Sequence, residues 1–507
     1  MRMRCLFFPA LLLGAALAAH AEPQVAVAGG ADLWSQRVAR EWAPRSQAAL
    51  LALQRLAAES YGVTLSDAQL HLVLQATPRA ALPEGGGQAV LVEAGLDEAQ
   101  LRQRALEAPL RQGLGAMVDQ LVQGHGERLP AWLAPALTQA LAQRIEAGLN
   151  LPPLPAYLPA AEARSAPRAA VAVLQQGSDF DAHMRAYLAA MAGDHFDAAA
   201  FRAQFGIDEA ELLRQAEASS AAIPARPASA PMGTGGAGHV EVQMGGHVDD
   251  AFSAEVRDHW LPVVRQATAQ FDQLAESVLQ VHLSRDVRVY VGGGEQDYEQ
   301  VLVQDMRVPP ARAELQGEVS GGLSNNRGQI ALKFTPRLKS PALYDRSVRV
   351  PLHELTHALQ KQLGANYPGF KPPVWMIEGT ADLMASLLAR NLRIEDVEAE
   401  ALRDWRLRNL EWWRHGNRTR LQPDDLLGVT HPQWLLLMKD KRGCYQMAGL
   451  MSMYLQAISG ERFLPAWVAY FRSAAVRGQD GGNAFKQAFG LDEAAFVEDF
   501  KRWLVQQ

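Results

Sequence analysis

The chain repeats itself, and the repeat constrains its fold more than any local pattern does. Residues 184–196 (MRAYLAAMAGDHF) align with residues 451–463 (MSMYLQAISGERF), with six of thirteen positions identical. Residues 200–210 then align with 484–494, with seven of eleven identical. Two such blocks in one order mark an internal duplication, which decides architecture before any secondary structure is read. Upstream, Pro130-Ala131-Trp132-Leu133 parallels Pro373-Val374-Trp375-Met376, Pro109-Leu110 parallels Pro351-Leu352, and Gly87-Gln88-Ala89 parallels Gly328-Gln329-Ile330. The intervals agree within a residue, 22 and 21 in the first copy against 23 and 22 in the second. Each copy opens with a helical stretch (33–56 and 252–279) followed by an alternating strand (70–74 and 287–291). The expected organisation is a first domain over 22–217, a linker over 218–239 rich in Ala, Ser, Pro and Gly, and a second domain over 240–507. Each domain reads as α+β with a helical C-terminal section, and at 507 residues the chain is too long for one core.

The second copy holds the chemistry. His353-Glu354-Leu355-Thr356-His357 is followed, 21 residues after His357, by Glu378 in Trp375-Met376-Ile377-Glu378-Gly379-Thr380-Ala381-Asp382. On a helix, positions i and i+4 share a face, so His353 and His357 offer two imidazoles to one metal ion, with Glu354 beside it. Two His and one Glu make a complete protein ligand set for a tetrahedral zinc that keeps its fourth position for water. Val350, Leu352, Leu355, Ala358, Leu359 and Leu363 frame the motif, with Ser347 as the expected N-cap and Gly364 as the expected stop. Pro351 must lie in or near the first turn, where a missing N–H does least harm. The competing reading is an amphipathic helix with two incidental histidines.

H-E-x-x-H with a downstream W-x-x-E-G-x-A resembles the gluzincin zinc metallopeptidases, closest to their aminopeptidase N branch. The resemblance implies one zinc ion per chain held by His353, His357 and Glu378, with Glu354 as general base, in a zincin-like (thermolysin-type) α+β domain. It also implies a role for Asp382, which stands where thermolysin-like enzymes hold an Asp that hydrogen-bonds a ligand histidine. Such a carboxylate fixes the tautomer and raises the basicity of the imidazole. Tyr445, 67 residues beyond Glu378, lies at an interval similar to that of an oxyanion-stabilising Tyr in the aminopeptidase N family. A phenolic O–H aimed at a developing oxyanion is the device this reaction needs. His415 and His431 compete for that part and read as surface-loop residues.

In gluzincins the strand beside the metal helix accepts the substrate as an added strand. This points to residues 328–335, with 321–326 as a flexible turn at the cleft edge. The G-x-M-E-N signature for a free amino terminus is absent, which tilts the reading towards an endopeptidase. The implied reaction is hydrolysis of a peptide or protein substrate by a metal-activated water from which Glu354 takes the proton.

Carried across the duplication, no ligand survives in the first copy. Arg111 stands for His353, Gln112 for Glu354, Gly115 for His357, Pro135 for Glu378 and Ser178 for Tyr445. An Arg in place of a ligand adds positive charge where a cation would bind, which predicts a metal-free domain kept for support or for docking. The expected fold is therefore two tandem zincin-like domains, the first degenerate. The alternative is a non-catalytic scaffold of two such domains, and a structural zinc has no need of the base Glu354.

The ends and the composition narrow the setting. Arg2 and Arg4, an apolar run over 6–18 and Ala19-His20-Ala21 read as a signal peptide over 1–21 cleaved after Ala21, giving a periplasmic or secreted protein. No later segment approaches a membrane-spanning length. Without Arg2 and Arg4 the basic count falls from 49 to 47 against 55 acids, so a net charge of −6 becomes −8 and offers nothing to nucleic acid. Cys5 leaves with the signal, so Cys444 has no internal disulfide partner and reads as a buried core thiol. Residues 405–420 mix Trp405, Trp412 and Trp413 with five arginines and read as a helix with its Trp face in the core and its Arg stems over it. The oligomeric state is left open at this level.

Overall fold

The computed structural model describes residues 22–83, 87–151, 166–175, 179–192, 199–221, 238–336, 345–366, 370–389, 392, 405–416, 421–440, 443–473 and 481–507. The expected signal (1–21), most of the expected linker (222–237) and Ser178 lie outside the described residues. Residues 218–221 still belong to the helix Glu209–Ala221, so the linker begins later than its composition implies.

The chain is mixed α+β, with helices packed around two small sheets. The first sheet is β1 (Gln24–Ala28), β2 (His71–Gln75) and β3 (Gln88–Leu91), in that order and all parallel. The second comprises β4 (Val240–Met244), β5 (Val287–Gly292), β6 (Gly322–Ser324) and β7 (Gln329–Lys333), ordered β4-β5-β7-β6. Its first three neighbours run parallel and β6 pairs antiparallel with β7. The registers follow the sequence repeat residue for residue. Gln24 opposes His71 as Val240 opposes Val287, and Leu72 opposes Gln88 as Arg288 opposes Gln329. Central strands β2 and β5 are buried along most of their length instead of alternating, as expected where helices cover both faces of a parallel sheet.

Each half also carries two wide π turns set just before a proline. They are Val38–Trp42 before Pro44 and Gln103–Glu107 before Pro109, then Val256–Trp260 before Pro262 and Asp345–Arg349 before Pro351. Proline lacks an N–H and its ring crowds the carbonyl four residues back, so the preceding turn widens and the helix continues. The helix of the H-E-x-x-H motif therefore does not start at Ser347. It runs on from Asp345, with Ser347 fully buried inside the π turn. Gly364, at φ 141°, breaks it where expected.

Side-chain packing repeats as well. Trp132 Nε1 donates to Glu209 at 2.8 Å, and Trp375 Nε1 donates to Glu493 at 2.8 Å. The Phe201–Phe205 and Phe485–Phe489 ring pairs are both 4.9 Å apart. The halves nevertheless share an interior, since one continuous apolar cluster runs through both. Arg37, 3 % exposed, donates to the Ala457 carbonyl at 2.6 Å and pairs with Glu41 and Glu98, while Leu33 N–H donates to Asp499 at 3.1 Å. Insertions in the second half distinguish it from the first, and one of them extends the sheet. Residues 76–87 join β2 to β3, whereas residues 293–328 join β5 to β7 and add β6 and a second small apolar cluster around Tyr290, Tyr298, Leu302 and Ala331. Among the described residues no helix is long and apolar enough to cross a membrane.

Candidate metal centre

The motif helix Val350–Gln360 lies against β6, β7 and the helix Val374–Ala389, and every residue from Pro351 to Gln360 is buried. Leu352, Leu355 and Leu359 anchor it in the core. His353 and His357, one turn apart, both reach Glu378 on the neighbouring helix, with His353 Nε2 at 3.4 Å and His357 Nε2 at 3.3 Å from Glu378 Oε2. Zinc bonds of about 2.0–2.1 Å in tetrahedral geometry put ligand atoms roughly 3.3 Å apart, so each imidazole already stands from Glu378 at a spacing that zinc would suit. The three side chains form the only such metal-holding group among the described residues.

Gly379, next to that ligand, lets the helix Cys444–Ser459 pack close. A side chain there would overlap the Ala448 carbonyl.

Each imidazole is oriented by a second partner. His353 Nδ1 is 2.8 Å from Asp382 Oδ1, and Arg349 donates to the same carboxylate. His357 Nδ1 is 2.8 Å from Gln360 Oε1. Gln360 in turn donates to the Ile377 carbonyl at 3.0 Å and to Thr380 Oγ1 at 3.1 Å, and Trp467 Nε1 reaches Thr380 at 2.9 Å. Burial alone would lower the His353 pKa, but the Asp382 and Glu378 carboxylates outweigh it and raise it to about 10. Burial would likewise raise Glu378, yet His357 and His353 hold it well below the usual carboxylate range. The pocket thus favours positive charge at its centre. Sequence reasoning missed Gln360, whose only signal is its place three residues after His357 on the same helical face.

Glu354 sits between two recesses of one cleft, about 460 and 540 Å³, which share Ser320, Gly322, Glu354 and Tyr445. Burial raises its pKa, partly offset by His357 and His353. Tyr445 packs edge-on against His353, with ring centroids 6.0 Å apart, and against Trp434 at 5.5 Å. Burial and the nearby carboxylates push its phenol well above its ordinary pKa, so it stays protonated and able to donate. Cys444, beside it, is buried.

The edge of the sheet is not where the sequence points. Residues 329–333 do form a strand, but β7 is paired on both sides, with β5 and with β6. The expected turn at 321–326 is itself partly strand β6, whose outer edge is unpaired among the described residues, because the insertion folds back onto β7. Gly322 of β6 lies directly against Glu354, where a Cβ would sit 2.7 Å from Oε1. Lys361, a second residue missed, ties β6 to the motif helix by donating to the Ser324 carbonyl at 2.6 Å and to Ser324 Oγ at 3.0 Å. Burial lowers its pKa to about 8, against the opposing pull of Glu354 and Glu378.

His431 is not a surface-loop residue: it opens the helix His431–Asp440 and lines the recess on the His357 side. His415 is exposed at the end of the helix Trp405–Gly416 and lines neither recess. That helix is only partly as expected. Trp413 is buried and donates to the Leu504 carbonyl at 3.1 Å, but Arg408, Asn409 and Trp412 line the recess on the His353 side.

In the first half, Arg111, Gln112 and Gly115 lie on the helix Ala108–Leu121, which follows its own π turn and proline as the motif helix does, and Pro135 lies on the helix Leu133–Gly148. Arg111 pairs with Glu107 one turn earlier. Compared with models of known families, with curated proteins and with solved structures, the chain matches none.

Proposed function

We propose that the chain is a zinc-dependent peptidase whose second half carries the chemistry and whose first half is a degenerate copy of it. The observation that carries this reading is the meeting, in one cleft, of a buried His353–His357–Glu378 set that could hold a metal ion, the carboxylate of Glu354 and a strand edge unpaired among the described residues. A zinc ion held there would supply Lewis acidity, polarising a substrate carbonyl and acidifying a water.

The remaining work falls to the chain. An extended peptide adds to the free edge of β6, and main-chain hydrogen bonds hold it with a carbonyl over Glu354. Glu354, with its raised pKa, takes the proton of the attacking water and then delivers it to the departing amine. Tyr445, kept protonated, donates to the oxygen on which negative charge develops. Recesses on both sides of Glu354 suit a chain that passes through, which supports an endopeptidase. A purely structural metal site would gain nothing from a buried Glu354 on the cleft wall.

Metal removal tests the proposal. Dialysis against a strong chelator is expected to abolish hydrolysis of a peptide library, and stoichiometric zinc to restore it. Undiminished hydrolysis after complete metal removal contradicts the proposal.

A further inference from the structure

Both recesses are lined by three basic side chains, which on the His357 side are Arg312, Arg327 and Lys361. On the His353 side they are Arg346 and Arg349 from the π turn before the motif helix and Arg408 from the helix Trp405–Gly416. Among the described residues the acidic groups lining this recess are Glu354 and Asp382, and Asp382 bonds His353 and Arg349. Arg346 lies across the entry to β6, where any side chain at Gly321 would overlap its guanidinium. Asn409, 4 % exposed, lines the same recess, and its amide nitrogen is buried with no hydrogen-bond partner. A buried donor left unpaired is costly, and a ligand acceptor would satisfy it.

Strand direction says which part of a substrate arrives here. β6 runs from Gly322, beside the arginines, to Ser324, beside Lys361. A peptide added antiparallel to it runs the opposite way, so the residues after the scissile bond enter the arginine-lined recess.

We propose that this recess is the subsite for the first one or two residues C-terminal to the scissile bond, and that it selects a carboxylate, either an Asp or Glu side chain or the free chain terminus. Guanidinium groups with an amide donor offer the forked, charge-assisted bonding a carboxylate takes. The assignment rests on the peptidase reading, and the two fail separately.

The test uses the zinc-loaded full chain and matched peptides. One arm exchanges Glu for Gln at the first and second positions after the cleaved bond in amidated peptides. The other compares a free with an amidated terminus two residues beyond it. The carboxylate form of at least one pair is expected to be cleaved with about ten- to a hundredfold higher kcat/KM, the worth of a charged hydrogen bond. That ratio should fall towards one in Arg408→Gln and Arg346→Gln. Which arm responds tells side chain from terminus. Equal rates within every pair, or a ratio unchanged in both variants, overturns the subsite. Anisotropy of the same labelled peptides on Glu354→Gln protein reads the recess without turnover. Preferential binding of the carboxylate peptides, together with a zinc-loaded wild type that cleaves none of them, would keep the subsite and sink the peptidase.

Discussion

At the scale of single residues, the proposed zinc centre should depend on the partners of its histidines as well as on the histidines themselves. Asp382 and Gln360 each fix one imidazole through Nδ1. Removing such a partner typically costs a metal site about 10- to 100-fold in affinity. Asp382→Ala and Gln360→Ala should each show that loss in a competition titration against a zinc chelator, and wild-type affinity in both would break the link drawn here. Tyr445→Phe should keep zinc content while lowering kcat, at a cost of roughly 2.7–4 kcal/mol of transition-state stabilisation, as for one oxyanion donor. An effect confined to KM would move the donor role to His431, which lines the recess on the His357 side. His353 and His357 were legible from helical spacing, whereas Glu378 and Asp382 were singled out by the resemblance to gluzincins, and the fold brings both beside the histidines. Gln360 and Lys361 were not legible, because their roles depend on Thr380 and Ser324, distant residues that only the fold brings beside them.

Among the elements, β6 decides the cleft. Its Gly322 leaves no room for a side chain, since a Cβ would meet Glu354 Oε1 at 2.7 Å and Cγ at 3.0 Å. Gly322→Ala should therefore displace the base by a few tenths of an ångström or more. Misplacement on the 1 Å scale costs about 100-fold, and we expect kcat to fall about tenfold or more with zinc fully retained. Wild-type turnover in that variant would contradict the placement of Glu354 against the strand. The strand at 329–333 could be read from its apolar run, but not its neighbours. Three residues of β6 show no period, and which strand is the edge follows from how the insertion folds back. The π turns were hidden for a similar reason. Pro351 reads as a helix start, while the tertiary packing that buries Ser347 carries the helix on through a widened turn.

For the molecule as a whole, the two halves keep the same strand register, the same π turns before proline and the same Trp–Glu bond. Self-similarity in the sequence pointed to that shared architecture. It gave no hint that the halves join into one apolar interior, because contacts such as Arg37 to Ala457 link positions the repeat does not pair. The His353–His357–Glu378 group and the insertion that makes β6 both lie in the second half, as does the helix Trp405–Gly416. The account therefore places all binding and turnover in one site per chain. Zinc content and peptide turnover, measured together on wild type, His353→Ala/His357→Ala and Glu354→Gln, test this most directly. The expected result is one zinc in wild type, none in the double variant, and one zinc in Glu354→Gln with turnover lower by about 100- to 10,000-fold. Two zinc ions per chain, zinc retained without both histidines, or wild-type turnover in Glu354→Gln would contradict it.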